Sequence, residues 1–555
     1  MGFVRRILVG LMMFAAMACE RRESMVTQFS REKILLKGNG SEPRSLDLHL
    51  IQTTTEHHIM MAMFEGLVNE DAADDTTIHP GVAERWESHE NFTRWKFHLR
   101  HDAKWSDGRP LVAEDFVKSY KRQLSPSFGA LYPEMLFKLR NAQAFNEGKL
   151  KDFDEVGVRA LDEHTLEMSL NGPIPYFLSV LLHFTWYPVP THVIEKFGEL
   201  EGRFSRPDAD GKTDFNKWTR PGNMVSNGAF KLKEWKFKEY IEVDRNPYYW
   251  DSTHVKLNGV RFMVVTDVAT EERMFRTGSL HITETLGIDR IPHYRDKFPQ
   301  LIRIYPYLGT YFYRINVTLP QFKDVRVRQA LNLAVDRESL VNRTLQAAHS
   351  PAWGLTPPMK ASYDLPRPIK FDPVKARELL AEAGYPEGKG FKKFSILVND
   401  TETHILIAEV VQEMWKRHLG LEVGIRTESS SVFYDTQNRL DYDVARAGWI
   451  ADFVEPISFL DMWTKGNQNN MTGWENTKFD KLIEDSYTAT DPLARGKLML
   501  EAENLFMAEN VIIPIYWYNR QILIHPAVKG WHVKTLDNHP WRDLDLGEET
   551  LPNIR

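Results

Sequence analysis

The sequence predicts a mixed α/β fold built from several interleaved sheets. Two observations predict it. Short runs of alternating apolar and polar residues recur along the chain, and between them lie helical segments with clear caps and stops. No fixed-period repeat is present, which excludes solenoids and propellers. With 555 residues the chain has room for about two to four domains.

The elements can be read in chain order. Trp95, Phe97 and Leu99 alternate with Arg94, Lys96 and His98, the pattern of a half-buried strand. Asp107-Gly108 is a turn signal. Leu166, Met168 and Leu170 repeat the strand pattern. A helix is predicted near residues 324–334. Another is predicted over residues 372–384, where Asp372 suits the N-cap and Pro373 the first helical position. Leu379, Leu380 and Ala383 line its face, and Gly384 followed by Pro386 stops it. Residues 203–217 and 357–368, rich in turn formers or charge, read as surface loops.

Composition narrows the function classes. Apolar residues make up 42% and charged residues 26%, ordinary values for a soluble globular protein. They exclude a multi-pass membrane protein and a disordered chain. The net charge of −6 argues against a broad nucleic-acid surface. A single cysteine excludes a disulfide scaffold, a Cys-rich zinc module and an iron–sulfur site. Aromatics at 12%, with 15 Trp, suit stacking or peptide-like ligands as well as a large core.

Residues 1–18 have the anatomy of a secretory signal peptide. Arg5 and Arg6 precede an apolar stretch too short to span a bilayer, and Ala16 and Ala18 lead to Cys19. The order resembles a bacterial lipobox, with Cys19 as the lipidated first residue of the mature chain. The alternative is a plain signal peptide. Either reading places the protein on the exported side, periplasmic or at the cell surface.

Familiar catalytic patterns are absent. There is no H-E-x-x-H, no G-x-S-x-G and no G-x-G-x-x-G. The glycine-rich stretch 384–390 lacks the spacing of a phosphate loop and follows a helix C-terminus. His57-His58 reads as a pair of polar loop histidines, because adjacent side chains diverge. No cofactor, metal or enzymatic activity is expected.

Several segments together carry a more specific signal. They are Phe64-Glu65-Gly66-Leu67, Lys104-Trp105-Ser106-Asp107-Gly108 and Ala113-Glu114-Asp115-Phe116. Asn227-Gly228-Ala229-Phe230, Asn246-Pro247-Tyr248-Tyr249-Trp250 and Asp324-Val325-Arg326-Val327-Arg328 follow. The most specific is Ala445-Arg446-Ala447-Gly448-Trp449-Ile450-Ala451-Asp452, with Glu455-Pro456 after it. In this order they resemble the periplasmic oligopeptide-binding proteins of ABC importers, over nearly the whole mature chain. The resemblance implies a two-lobed periplasmic-binding-protein fold of three domains. The first would comprise 20–64, 189–308 and 520–555, the second 65–188, and the third, forming the other lobe, 309–519. Crossings near 308 and 519 would form the hinge.

The resemblance also implies a site. Asp452 would meet the ammonium group of an enclosed peptide, since a buried unpaired charge is costly. Gly448, Trp449 and Ile450 would pair with the ligand backbone as with an added strand, and Trp449 would wall a side-chain pocket. Thr53 and Thr54, in the 52–55 loop, would pair from the other lobe. Tyr132, Tyr307, Phe312 and Tyr518 fall in cleft segments, where core packing is an equal alternative. Arg446 and His404 match positions that meet the ligand carboxylate, and Asn399 is a further implied peptide-binding residue. Gly309 and Ile450 replace a cysteine pair of relatives, Leu345 a lysine and Arg314 a carboxylate. The implied partners are short peptides and the permease subunits of an importer, with a lipid anchor at the membrane and the protein a monomer. The same scaffold could instead take dipeptides, murein peptides, haem or a metal chelate.

Overall fold

Three sheets organise the chain. The computed structural model describes residues 23–51, 53–198, 216–359, 363 and 369–554. The expected signal peptide and Cys19 lie outside the described residues, as do most of the two expected loops, 203–217 and 357–368. No helix among the described residues is long and apolar enough to cross a membrane.

The first sheet joins Ile34–Gly38, Gly259–Met263, Tyr240–Arg245 and Phe230–Lys236 in that spatial order. The second is antiparallel, in the order Ala83–His89, Arg94–Leu99, Thr165–Ser169 and Val158–Asp162. It contains both strands that the alternating pattern predicts, with Trp95, Phe97 and Leu99 buried and their neighbours facing outward. The helices predicted near 324 and 372 form as Val325–Leu333 and Pro373–Glu382. Asp324 caps the first through the Arg326 N–H, and Asp372 caps the second through the Lys375 N–H.

The third sheet positions the site. Its six strands run in the order Ser350–Pro351, Ile512–Leu523, Ile302–Ile315, Val444–Ile450, Phe394–Asn399 and Val423–Glu428. Two of them are long and rich in β-branched and aromatic residues, which favour a pleated, buried strand. Ile302–Ile315 and Ile512–Leu523 pair antiparallel, but the register breaks between Pro306 and Thr310 and again at Tyr311–Phe312. Proline cannot donate to a ladder. Pro306 stands at the first break, and Pro514, the partner of Phe312, at the second. The long pair therefore crosses the expected boundaries near 308 and 519 as two continuous strands with interrupted pairing.

The motifs of the first half that carry the resemblance build scaffold. Glu65 accepts hydrogen bonds from Asn69, Tyr249 and Trp250, and Asn227 holds its backbone. Asp115 accepts from the indole of Trp105 and from the backbone N–H of Val112.

Candidate functional site

The strand Val444–Ile450 lies inside its sheet at one end and at an open edge at the other. Along its whole length it pairs with Ile302–Ile315, from Val444 opposite Ile315 to Ile450 opposite Gly309. On its other side it pairs with Phe394–Asn399 only at Val444 and Ala445. From Arg446 onward that second edge carries no ladder. The strand Phe394–Asn399 stays paired with Val423–Glu428 along its whole length on its far side. The result is a wedge, with Asn399 on one bank and the unladdered edge Arg446–Ile450 on the other.

Several polar atoms of side chains near the wedge have no partner. Asn399 Oδ1, His404 Nδ1, Arg446 Nε and the hydroxyls of Tyr311 and Tyr313 are buried and have no hydrogen-bond partner among the described residues. Buried polar atoms are rarely left so. A separate concavity of about 840 Å³ lies between Val325–Leu333 and Pro492–Ala508, bounded by Leu333, Lys497 and Met507. None of its lining side chains carries a buried unpaired atom.

Arg446 sits 5.3 Å from the ring of Tyr311, which stacks on Tyr516 at 4.8 Å. Among the described residues it makes no ion pair. Burial works against its charge, yet the phenol groups of Tyr518, Tyr311, Tyr516 and Tyr434 more than offset this, and its pKa lies above the ordinary value. His404 packs on Tyr311 at 5.4 Å. Burial and the neighbouring Arg446 charge hold it down at about 3, so the imidazole is neutral. It can donate a hydrogen bond but does not supply the expected second cation.

Asp452 follows the strand end. Burial pushes its carboxyl up to about 7, Asp461 and Glu134 add to the rise, and Lys138 counters it. Its nearest polar contact is the Tyr132 hydroxyl at 3.5 Å. Phe453 stacks on Tyr176 at 5.8 Å, so this loop is docked on the segment that carries the second sheet.

The remaining expected residues separate into groups. Gly448 keeps open the space beside Tyr518, whose hydroxyl would stand 2.9 Å from an added Cβ. Trp449 is half-buried, and its indole N–H is taken by the Ser458 carbonyl at 2.6 Å. Tyr307 and Tyr518 are neighbours at 6.5 Å. Gly309 and Ile450, the positions that replace a cysteine pair, are register partners, and Ile450 Cδ1 fills the room a Cβ on residue 309 would need. Phe312 is fully buried against Trp463, which makes it core. Leu345 is core as well.

Two expectations need correction. Thr53 and Thr54 do not form an extended partner for a ligand. Thr53 caps the helix Thr54–Met63 in a capping box, and its own N–H is taken by Glu56 at 3.1 Å. The signature Thr-x-x-Glu is readable in the sequence and was the signal for a helix. The same helix carries His57 and His58, so they are not loop residues. His58 is buried 3.7 Å from Glu284 and 3.5 Å from Asp537, and His57 bonds Asn538 at 2.9 Å.

This arrangement has known counterparts. Residues 77–471 match the model of the bacterial extracellular solute-binding proteins, family 5. The chain belongs to this family. The periplasmic oligopeptide-binding protein OppA of Salmonella typhimurium is 37% identical over 92% of each chain. The periplasmic murein peptide-binding protein MppA of Escherichia coli is 33% identical over 91% of this chain and 92% of its own. Among solved structures, OppA of Haemophilus influenzae in complex with the peptide RPPGFSPFR superposes with a TM-score of 0.76 at 31% identity. It covers 93% of this chain and 99% of its own. The fold of this family 5 protein is therefore the two-lobed α/β fold that the sequence predicts.

Proposed function

We propose that this family 5 protein captures short peptides between its lobes and presents them to the permease subunits of an ABC importer. One observation carries the reading. Asp452 and Arg446 have opposite charges, are largely buried, and lack an ion-pair partner among the described residues, and the open strand edge runs between them. An extended peptide has that same layout: an ammonium group, a strand of hydrogen-bonding groups, and a carboxylate. Asp452 takes the ammonium group. Gly448, Trp449 and Ile450 pair with the ligand backbone, which reads every sequence alike. Arg446 takes the carboxylate, with His404 and Asn399 as neutral hydrogen-bonding groups beside it. Tyr307, Tyr518 and Trp449 wall the side chains. No bond is broken.

The lobes follow the division expected from the sequence: 20–64, 189–308 and 520–555 with 65–188 on one side, and 309–519 on the other. The register breaks at Pro306 and Pro514 support a hinge in the long strand pair, because interrupted ladders bend most readily. Closure about it buries the peptide. Export followed by lipidation at Cys19 tethers a monomer to the membrane. A Cys19→Ser variant, processed to the same size yet still fractionating with membranes, would contradict the anchor.

The test of the binding reading is direct. Mass spectrometry of ligands that copurify with the protein, followed by titration with alanine peptides of two to six residues, is expected to return short linear peptides with free termini. Recovery of haem or a metal chelate, with no response to any peptide, would contradict it.

A further inference from the structure

A guanidinium brings five N–H donors and a charge that persists at neutral pH, so inside a protein it needs acceptors. The buried arginines among the described residues show how this chain supplies them. Arg122 meets Asp47 at 2.6 Å. Arg495 meets Glu455 at 3.2 Å. Arg328 meets Glu509 at 3.1 Å and also donates to the carbonyls of Phe322 and Lys323. Arg337 has no carboxylate but donates to the carbonyls of Pro514, Asn332 and Val335.

Arg314 is the exception. It is 5% exposed, as buried as the others. Among the described residues its one hydrogen-bonding contact is Nη1 with the sulfur of Met471 at 2.9 Å, a weak acceptor, and its Nε has none. Among the described residues no carboxylate lies within ion-pair distance. Phe312 and Trp463 present their rings at 5.8 and 5.9 Å. Burial pulls its pKa down to about 10, with Arg446 pushing the same way and Tyr442 and Tyr434 opposing. The side chain is still charged at neutral pH.

Its position links it to the wedge. Arg314 stands opposite Ala445 and Phe312 opposite Ala447, and register partners share a face of the sheet. On that face Ala445 is covered on its far side by its other register partner, Leu397, while Ala447, diagonal to Arg314, stands at the open edge with only a methyl group. Arg446 pairs with Tyr313 and so belongs to the other face. A ligand strand presents successive side chains to alternate faces. A residue held at Arg446 is therefore followed or preceded by one whose side chain turns toward Arg314.

We propose that Arg314 is a specificity-determining residue that receives a carboxylate side chain of the ligand, so that the protein prefers peptides with an aspartate or glutamate next to the residue held at Arg446. This rests on the peptide-binding reading above. Such a preference would run against the overall charge of −6, so it would be local to the pocket rather than a long-range attraction.

The experiment is a calorimetric scan. An alanine pentapeptide, and versions with a single Glu or a single Gln at each position, are titrated into the parent, Arg314→Gln and Arg314→Lys. The expected result is one position at which Glu binds at least tenfold tighter than Gln in the parent. That gap closes to within about twofold in Arg314→Gln, while the all-alanine peptide still binds, and survives in part in Arg314→Lys. A parent scan in which Glu never outranks Gln overturns the proposal whether or not the variants fold. So does a Glu preference that is unchanged in Arg314→Gln. A parent that binds none of the peptides overturns the peptide reading itself, which the all-alanine titration reports separately.

Discussion

Tyr132 donates its hydroxyl to Asp452 at 3.5 Å, from a segment beside the second sheet to a loop leaving the third. The bond is long and neutral, so it orients the carboxylate without matching its charge. Asp461 and Glu134 stand near as further acids, and Lys138 counters them. A carboxyl in this setting is raised to about 7, where an ordinary aspartate ionises near 3.8.

The first prediction is a pH profile of affinity. Only ionised Asp452 can pair with an ammonium group, so binding must release the proton held below about pH 7. Affinity should weaken as pH falls from 7, approaching tenfold per unit. Above about pH 8 it should weaken again as the α-amino group of the peptide loses its proton. Calorimetry between pH 5 and 9, in buffers of different ionisation enthalpy, reads both limbs and the proton released.

The second prediction separates binding from stability. Because the folded pKa of Asp452 is raised, the unliganded native state holds more protons than the unfolded state between about pH 4 and 7. Its stability contribution therefore falls as pH rises through that window, by about 4 kcal/mol at most for a shift of this size. Asp452→Asn should accordingly raise the melting temperature of the ligand-free protein at pH 8 while weakening peptide binding by about 2–5 kcal/mol. A variant that loses stability at pH 8 would speak for a structural aspartate.

Much of this was legible in the sequence, and the failures have physical causes. Local codes held: period-two alternation placed Trp95, Phe97 and Leu99 in a strand, the helix near 324 formed, and Asp372 capped the helix it was expected to cap. The capping box at Thr53 was equally local, but the implied cleft loop took precedence over it, and the helix then carried His57 and His58 inward. The open edge beyond Ala445 depends on two strands diverging, which no single stretch encodes. The neutrality of His404 depends first on burial and then on Arg446, 42 positions away in the chain. The sequence marks Arg314 as replacing a carboxylate of relatives, but that it is buried without a carboxylate partner is legible only from its neighbours.

The third prediction concerns the cleft wall. Ile450 Cδ1, the Trp449 carbonyl at 2.9 Å and Tyr518 Cδ2 at 3.1 Å leave no room for a Cβ at Gly309. Gly309→Ala should cost about 1–3 kcal/mol, the usual range for overpacking, and Ile450→Ala in the same chain should restore part of it. Chemical denaturation of the two single variants and the double variant measures the coupling. A neutral Gly309→Ala would show that the contact is absent in solution.

The fourth prediction concerns peptide length. With the ammonium end fixed at Asp452 and about 3.3 Å per extended residue, the carboxylate is met only where a partner stands. Affinity for alanine peptides should be uneven, with about three and five residues favoured over four and two residues poor. Arg446→Ala should remove the preference for the shorter peptide, and His404→Ala should weaken the longer one less, because a neutral imidazole offers only a hydrogen bond. A smooth length profile that neither substitution changes would rule out both partners.

The central claim is that the buried, unmatched carboxylate of Asp452 receives the free ammonium group of a peptide. The most direct measurement compares one alanine peptide of preferred length with its N-acetylated form at pH 7.5, in the parent and in Asp452→Asn. The account predicts that acetylation weakens binding to the parent by about 2–5 kcal/mol, with little further loss in the variant, since both changes remove the same ion pair. Equal affinity of the parent for the free and acetylated peptides would contradict it.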